Sequence, residues 1–238
     1  MTGAGFLEAT EHMDRAAREG AIFDAIAAGI VPAFASKFVE VRVVHGGRTG
    51  VVLVAVDYAA IGTDDDFLRI PMSPVTAQRL ADLRGYVLPT RKLVDAIYAA
   101  AAVKLTPAPL PPGPRMMSND YYRRHHQLIE KQRAGRGTGA LIGGHKKDVV
   151  ITPRLARRPD RVAIYGWHRS IGRPIQPLSL VHESTYADYS HGVRFVSRTM
   201  LVDDVECPVA EVLRDAELAP LLSDEGVLAS TRVAAPFS

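Results

Sequence analysis

Hydrophobic and polar positions along this chain change period several times, and each change marks an element. From Phe6 to Ala28 the apolar residues Leu7, Ala16, Ala17, Ile22, Phe23, Ile26 and Ala27 recur at roughly helical spacing. The spacing predicts a helix, with Gly20 as the place where it would divide and Gly29 and Pro32 as stop signals. Phe38 to Val44 alternates in the strand manner, Val51 to Val56 is a β-branched run, and Gly46-Gly47 between them predicts a hairpin turn with His45 exposed at its tip. Tyr58 to Arg69 reads as a polar loop. Its Asp64-Asp65-Asp66 run lacks the alternate spacing of a calcium loop, so it is expected to be a turn with solvated acids. Ser73-Pro74 and Pro89-Thr90 have the residue types that open helices, the first ending near Arg84-Gly85, the second packing Leu93, Val94, Ile97 and the alanines 99–102 inward.

Thr106 to Pro114 is too rich in proline for helix or central strand and predicts an extended connector. Ser118 to Arg133 predicts a short helix in which at most one of His125 and His126 points inward. A basic, glycine-rich loop follows over Arg133 to Gly139, without the spacing of a phosphate-binding P-loop. Strand-like runs at Val149–Ile151, Val162–Tyr165 and Val193–Val202 come next, then a corner, a helix from about Val209 to Leu218 and a loose tail ending Ala-Ala-Pro-Phe-Ser. The expected class is α+β, with a helical and hairpin N-terminal half and a mainly antiparallel β-sheet in the C-terminal half. The expected parts are residues 1–105, a connector at 106–117, and residues 118–238 carrying the candidate site. One continuous domain is equally compatible with this length.

Composition narrows the picture little: 47% hydrophobic and 23% charged residues over 238 positions is ordinary for a globular chain that needs no disulfide. The single cysteine, Cys207, excludes an intrachain bridge and is expected to be a small buried hydrophobe. No run of 18 apolar residues predicts a membrane span, and no signal-peptide pattern opens the chain, which leaves localisation unassigned. The net charge of +3 conceals a split. Arg115 to Arg173 holds 14 Lys and Arg against four acids, a net +10, leaving −7 for the remainder (15 basic, 22 acidic). That asymmetry fits a basic face with an anionic partner, nucleic acid included, and equally fits a solvated basic surface.

The chemistry concentrates in His182 to Gly192, which reads His-Glu-Ser-Thr-Tyr-Ala-Asp-Tyr-Ser-His-Gly and offers almost nothing to a core. Each strand-like run has a histidine near one end, so pairing of those strands would bring His145, His168, His182 and His191 toward Asp188. The candidate catalytic residues are therefore His145, His168, His182, Asp188 and His191, with Lys147, Tyr189 and Arg194 for substrate. Zinc is the candidate cofactor, on His182, Asp188 and His191, although His-x5-Asp-x2-His is not the HExxH spacing. Metal-free acid–base chemistry on the same residues is the stronger expectation, with Asp148 or Asp188 orienting a histidine. Phosphodiester chemistry is the third, with a basic segment to hold phosphates but no His-x-Lys-x4-Asp pattern, because position 152 is Thr152. The plain alternative to all three is a hydrogen-bonded polar cluster that pins a loop.

The segments Gly144-His145-Lys146-Lys147-Asp148-Val149-Val150, Ile164-Tyr165-Gly166-Trp167-His168 with Pro174 to Leu178, and Tyr186 to Arg194 resemble the signatures of a bacterial protein family to which no activity is attached. Weaker likeness reaches Leu88 to Lys92. The resemblance implies a bacterial source and no particular substrate. The function expected from the residues is a His/Asp-dependent hydrolase, or a lyase-like enzyme, acting on a polar polymer such as a bacterial cell-wall glycan or peptide. The alternatives are a non-catalytic module binding an anionic polymer through Arg123, Arg124, Arg157 and Arg158, and a phosphodiesterase or nuclease.

Overall fold

A computed structural model gives the fold and describes residues 1–233. The tail expected over Ala234 to Ser238 lies outside them. The described residues form six α-helices and thirteen strands, an α+β arrangement with mostly antiparallel pairing.

The first apolar stretch becomes two helices, α1 (Gly3–Ala9) and α2 (Arg15–Ala27), but the division falls at Thr10 to Asp14 and Gly20 lies inside α2. Local side-chain bonds decide this. The Thr10 hydroxyl donates back to Phe6 O at 2.8 Å, and the Asp14 carboxylate accepts from Ala17 N at 2.8 Å as an N-cap. A mid-helix glycine costs only about 1 kcal/mol and does not by itself end a helix.

Strands β1 (Phe38–His45) and β2 (Arg48–Ala55) pair from Phe38–Ala55 to His45–Arg48. The turn is Gly46-Gly47, at φ 57° and 81°, which only glycine adopts without strain. The next stretch departs from expectation. Much of 58–69 is buried and holds the small hairpin β3 (Ala60–Gly62) and β4 (Phe67–Arg69). Its acids cap backbone, Asp64 accepting from Ala33 N at 2.7 Å and Asp66 from Ala4 N at 3.2 Å. Helix α3 (Pro74–Arg84) has Ser73 as its cap and Gly85 at φ 69° as its stop. After β5 (Tyr86–Val87), α4 (Arg91–Ala100) starts from the Thr90 cap. It buries Leu93, Val94 and Ile97, but Ala99, Ala100 and Ala102 face solvent.

Strand β6 (Val103–Lys104) leads into the proline-rich segment, and α5 (Asn119–Arg133) starts from the Ser118 cap. The remaining strands are β7 (Ile142–Gly143), β8 (Lys147–Val149), β9 (Ile164–Ser170), β10 (Arg173–Ser179), β11 (His191–Gly192), β12 (Val196–Val202) and β13 (Val205–Pro208). Helix α6 (Val209–Arg214) ends four residues before Leu218. Strand β10 holds Pro174 and Pro177, which an edge strand tolerates. Cys207 is half-buried in β13 rather than enclosed in the core.

Two larger sheets organise the molecule. One runs β1-β2-β12-β13 with β5 beside β12, so the N-terminal hairpin pairs with a C-terminal strand. The other runs β10-β9-β8-β11. Val52, Val54, Val196 and Met200 from the first sheet and Val149 and Ile164 from the second belong to one continuous hydrophobic cluster with Leu93 and Ile97 of α4. No helix among the described residues is long and apolar enough to cross a membrane.

Candidate functional site

The second sheet carries His168 and His191, and its strand β8 begins just after His145. β11 runs parallel to β8, with His191 opposite Lys147 and Gly192 opposite Asp148, and β8 runs antiparallel to β9, with Lys147 opposite Gly166. His182 lies off the sheet. Its backbone carbonyl accepts from Val162 N at 3.1 Å, and its exposed ring stacks on Tyr186 with centroids 4.1 Å apart.

Around Asp188 the dense stretch folds on itself. Asp188 Oδ1 accepts from Ser190 N at 2.8 Å and Ser190 Oγ at 2.5 Å, while Oδ2 accepts from Tyr186 Oη at 3.0 Å. His191 Nε2 stands 3.9 Å from Asp188 Oδ2, beyond hydrogen-bond reach. The His191 ring is fully buried, and neither nitrogen has a partner. Burial pulls its pKa well below the ordinary histidine value, partly offset by Asp188 and reinforced by Lys147, so the ring is neutral at pH 7. On Asp188 burial acts upward, but His191, the Ser190 bonds and Lys147 outweigh it and keep the carboxylate ionised.

The other two histidines take different carboxylates, and both are buried. His145 Nε2 donates to Asp57 at 3.1 Å, and Asp57 also accepts from Arg69 Nε and Nη2 at 2.9 and 2.6 Å. Arg69 reaches on to Glu130 at 2.6 Å. Burial would raise the Asp57 carboxyl, but Arg69 and His145 hold it far below the usual range. Burial lowers His145 to about 4 despite that carboxylate. His168 Nε2 donates to Asp95 on α4 at 2.7 Å, beside the Tyr165 hydroxyl at 2.9 Å, and its ring stacks on Tyr98. Asp148 lies between the two pairs. It accepts from Tyr58 Oη at 2.8 Å, with Arg194 Nε 4.0 Å away, and burial raises it to about 6. Asp148 and His168 both lie against Gly166: a Cβ there would sit 3.4 Å from Asp148 Oδ2 and 3.5 Å from His168 Cε1, at φ 108°.

Lys146 occupies the interior between these groups. It is 1% exposed, donates to Tyr189 O at 2.5 Å, and burial, with Arg69 nearby, lowers its amine to about 7. Lys147 is half-buried, its ammonium 5.1 Å from the Trp167 ring centroid. Tyr189 anchors the proline-rich segment, accepting from Leu110 N at 2.8 Å. Arg194 is buried and donates to Ala55 O and Ile142 O, both at 2.7 Å, so its guanidinium holds backbone in place. His125 is fully buried, and neighbouring His126 also leans in, its Nδ1 accepting from Arg69 N at 3.5 Å.

The structure therefore brings His182, Asp188, His191 and Lys147 into one cluster and gives His145 and His168 to separate carboxylates. Among the described residues no three His, Cys, Asp or Glu side chains are arranged to hold a metal, so the trio His182, Asp188 and His191 is not assembled as a ligand set. Sequence reasoning passed over Asp57, Tyr58, Arg69 and Asp95. A lone arginine within Phe67-Leu68-Arg69-Ile70-Pro71-Met72 was the available signal, because a charge inside an apolar run must find a buried partner. The expected basic stretch is partly neutralised: Arg115 pairs with Asp120, Arg133 with Glu130, Arg154 with Glu225 and Arg161 with Asp160. A cavity of about 870 Å³ opens elsewhere, between α3, Ile151–Pro159 and Val227–Val233. No histidine lines it, and its Arg232 and Asp82 are paired with each other, so the chemistry points to the Asp188 cluster instead.

No protein-family model, curated protein or solved structure matches the chain.

Proposed function

We propose that this protein is a His/Asp-dependent hydrolase acting on a polar polymer, such as a bacterial cell-wall glycan or peptide. One observation carries the reading: His191 is a buried, neutral imidazole with both nitrogens unpartnered, beside a carboxylate fixed by three hydrogen bonds. Buried polar atoms in folded proteins are nearly always bonded, so an orphaned imidazole beside a charge is a mark of chemistry. In the proposed reaction His191 removes a proton from water as it attacks the scissile bond, and the Asp188 charge stabilises the imidazolium that forms. Lys147 offsets negative charge developing on the attacked group. Tyr186 holds Asp188 and stacks on the exposed His182 ring. The ligand trio is not assembled, so the reading uses no metal; zinc enters as an outcome of the test.

The test is release of soluble fragments from purified bacterial sacculi and from a panel of polysaccharides, peptides and nucleic acids, with and without a chelator. Turnover of a sacculus substrate that survives chelation and is lost in Asp188→Asn supports the reading. Chelator-sensitive turnover would move the site to zinc, and turnover confined to nucleic acid would move it to phosphodiester cleavage. A second reading, a binding module for an anionic polymer, draws on the exposure of Arg123, Arg124, Arg157 and Arg158. It is favoured if sacculi or nucleic acids are bound in a salt-sensitive manner but never cut.

A further inference from the structure

Beside the Asp188 cluster lies a second set of unpartnered polar groups. Trp167 has φ 56°, a left-handed conformation rare for a bulky residue, and its backbone N–H donates to Lys146 O at 3.1 Å. The ring is 4% exposed, and the indole Nε1–H has no acceptor. His125 of α5 is fully buried, with both ring nitrogens unpartnered and its centroid 6.2 Å from that of Trp167. The ammonium of Lys147 lies over the indole at 5.1 Å. A phenylalanine at 167 would fill most of the same space without burying an N–H, which costs about 1–3 kcal/mol when left unmade. Packing alone therefore gives no reason for an indole on a strained backbone.

The inventory of these groups selects the ligand. The indole is a donor only, a neutral imidazole supplies one donor and one acceptor, and an ammonium supplies donors only, so donors are in surplus. The charged groups acting on His125 are cationic as well, Lys146 and Arg69. Half-buried Lys147, opposite His191 in the β8–β11 register, connects this interior to solvent and to the proposed general base.

We propose that Trp167, His125 and Lys147 bind an oxyanion, a carboxylate or phosphate group carried by the substrate. The anion accepts from the indole N–H and an imidazole N–H and is neutralised by the ammonium. In its substrate clause this rests on the hydrolase reading, and it narrows the polymer to one bearing such groups near the bond that is cut.

Trp167 is the only tryptophan in the chain, so its indole gives one cross-peak in a ¹H–¹⁵N spectrum of the full-length protein. Sodium phosphate and sodium acetate are titrated separately at pH 7, with sodium chloride at matched ionic strength as the control. The expected result is a saturable shift of the indole N–H with phosphate, acetate or both, and none with chloride. The anion that saturates at lower concentration identifies the class. Lys147→Met should weaken that binding by about tenfold, the size of one charge-assisted contact. An indole resonance that neither anion moves, or that chloride moves equally, overturns the proposal. Binding is read without turnover, so the two ideas fail separately. A saturable shift in a protein that cuts nothing leaves the anion site standing and removes the hydrolase.

Discussion

Replacing Lys146 by methionine should make the protein more stable at pH 7. The buried amine titrates at about 7 in place of 10.5. At about 1.4 kcal/mol per unit, that displacement is worth roughly 5 kcal/mol, of which about 4 kcal/mol bears on the native state at pH 7. Methionine of similar length removes this cost. It also removes the bond from Nζ to Tyr189 O, worth about 2 kcal/mol when the donor is charged. The net gain is about 2 kcal/mol, or roughly 4–8 °C in melting temperature for a chain of this size. The pH dependence is the sharper signature. The folded amine is depressed, so between pH 7 and 10.5 the unfolded chain binds more protons and wild-type stability rises with pH. The advantage of Lys146→Met should therefore shrink by about 1.4 kcal/mol per pH unit and reverse near pH 9. Urea unfolding of both proteins at pH 7, 8 and 9 measures this. A variant less stable at pH 7, or an energy gap that stays flat to pH 9, would refute the reasoning that the amine is held against its preference.

Arg69→Met should cost about 3–5 kcal/mol, because it strands Asp57 in the interior, and adding Asp57→Asn should recover part of that loss. Equal or greater loss in the double variant, in denaturant unfolding, would contradict the pairing. Gly192→Ala places a Cβ 2.7 Å from Tyr58 Cδ1 and 2.8 Å from Lys146 Cβ, so it should lower stability by about 1–3 kcal/mol. An unchanged urea midpoint would mean the contact relaxes freely. His126 and His145 are depressed to about 3 and 4, so both are neutral in the fold where the unfolded chain would protonate them. Their contribution is complete above pH 6.5 and is lost as pH falls from there toward 4; a melting temperature constant over that range would contradict it.

Local signals explain why some of this was legible in the sequence. Ser73, Thr90 and Ser118 cap helices where their residue types predicted, because an N-cap bond is made within three residues of the cap. Gly46-Gly47 made the hairpin turn for the same reason. The misplaced features depend on distant partners. Tyr58 to Arg69 reads as a loop because its residues carry no sign of Asp148, Glu130 or the His145 ring, which meet Tyr58 and Arg69 only in the fold. Of the four histidines expected together, His168 and His191 lie on strands of one sheet and His145 just before another of its strands, while His182 lies off it. Which carboxylate each finds depends on neighbours outside that sheet, Asp95 on α4 for His168 and Asp57 for His145, and alternation along a strand does not encode that. Lys146 and Lys147 look alike in sequence, but Lys146, just ahead of β8, points inside and Lys147, its first residue, sits at the boundary.

The central claim, that the unbonded imidazole of His191 beside Asp188 is a working base, is tested most directly by His191→Ala. Fragment release from sacculi and thermal unfolding are measured on the same preparation. The account predicts turnover reduced by about 100-fold or more, the usual share of a general base, with the melting temperature within a few degrees of wild type. Turnover at the wild-type rate would contradict the assigned role, and a collapse of folding would mean the cluster serves to hold the loop in place.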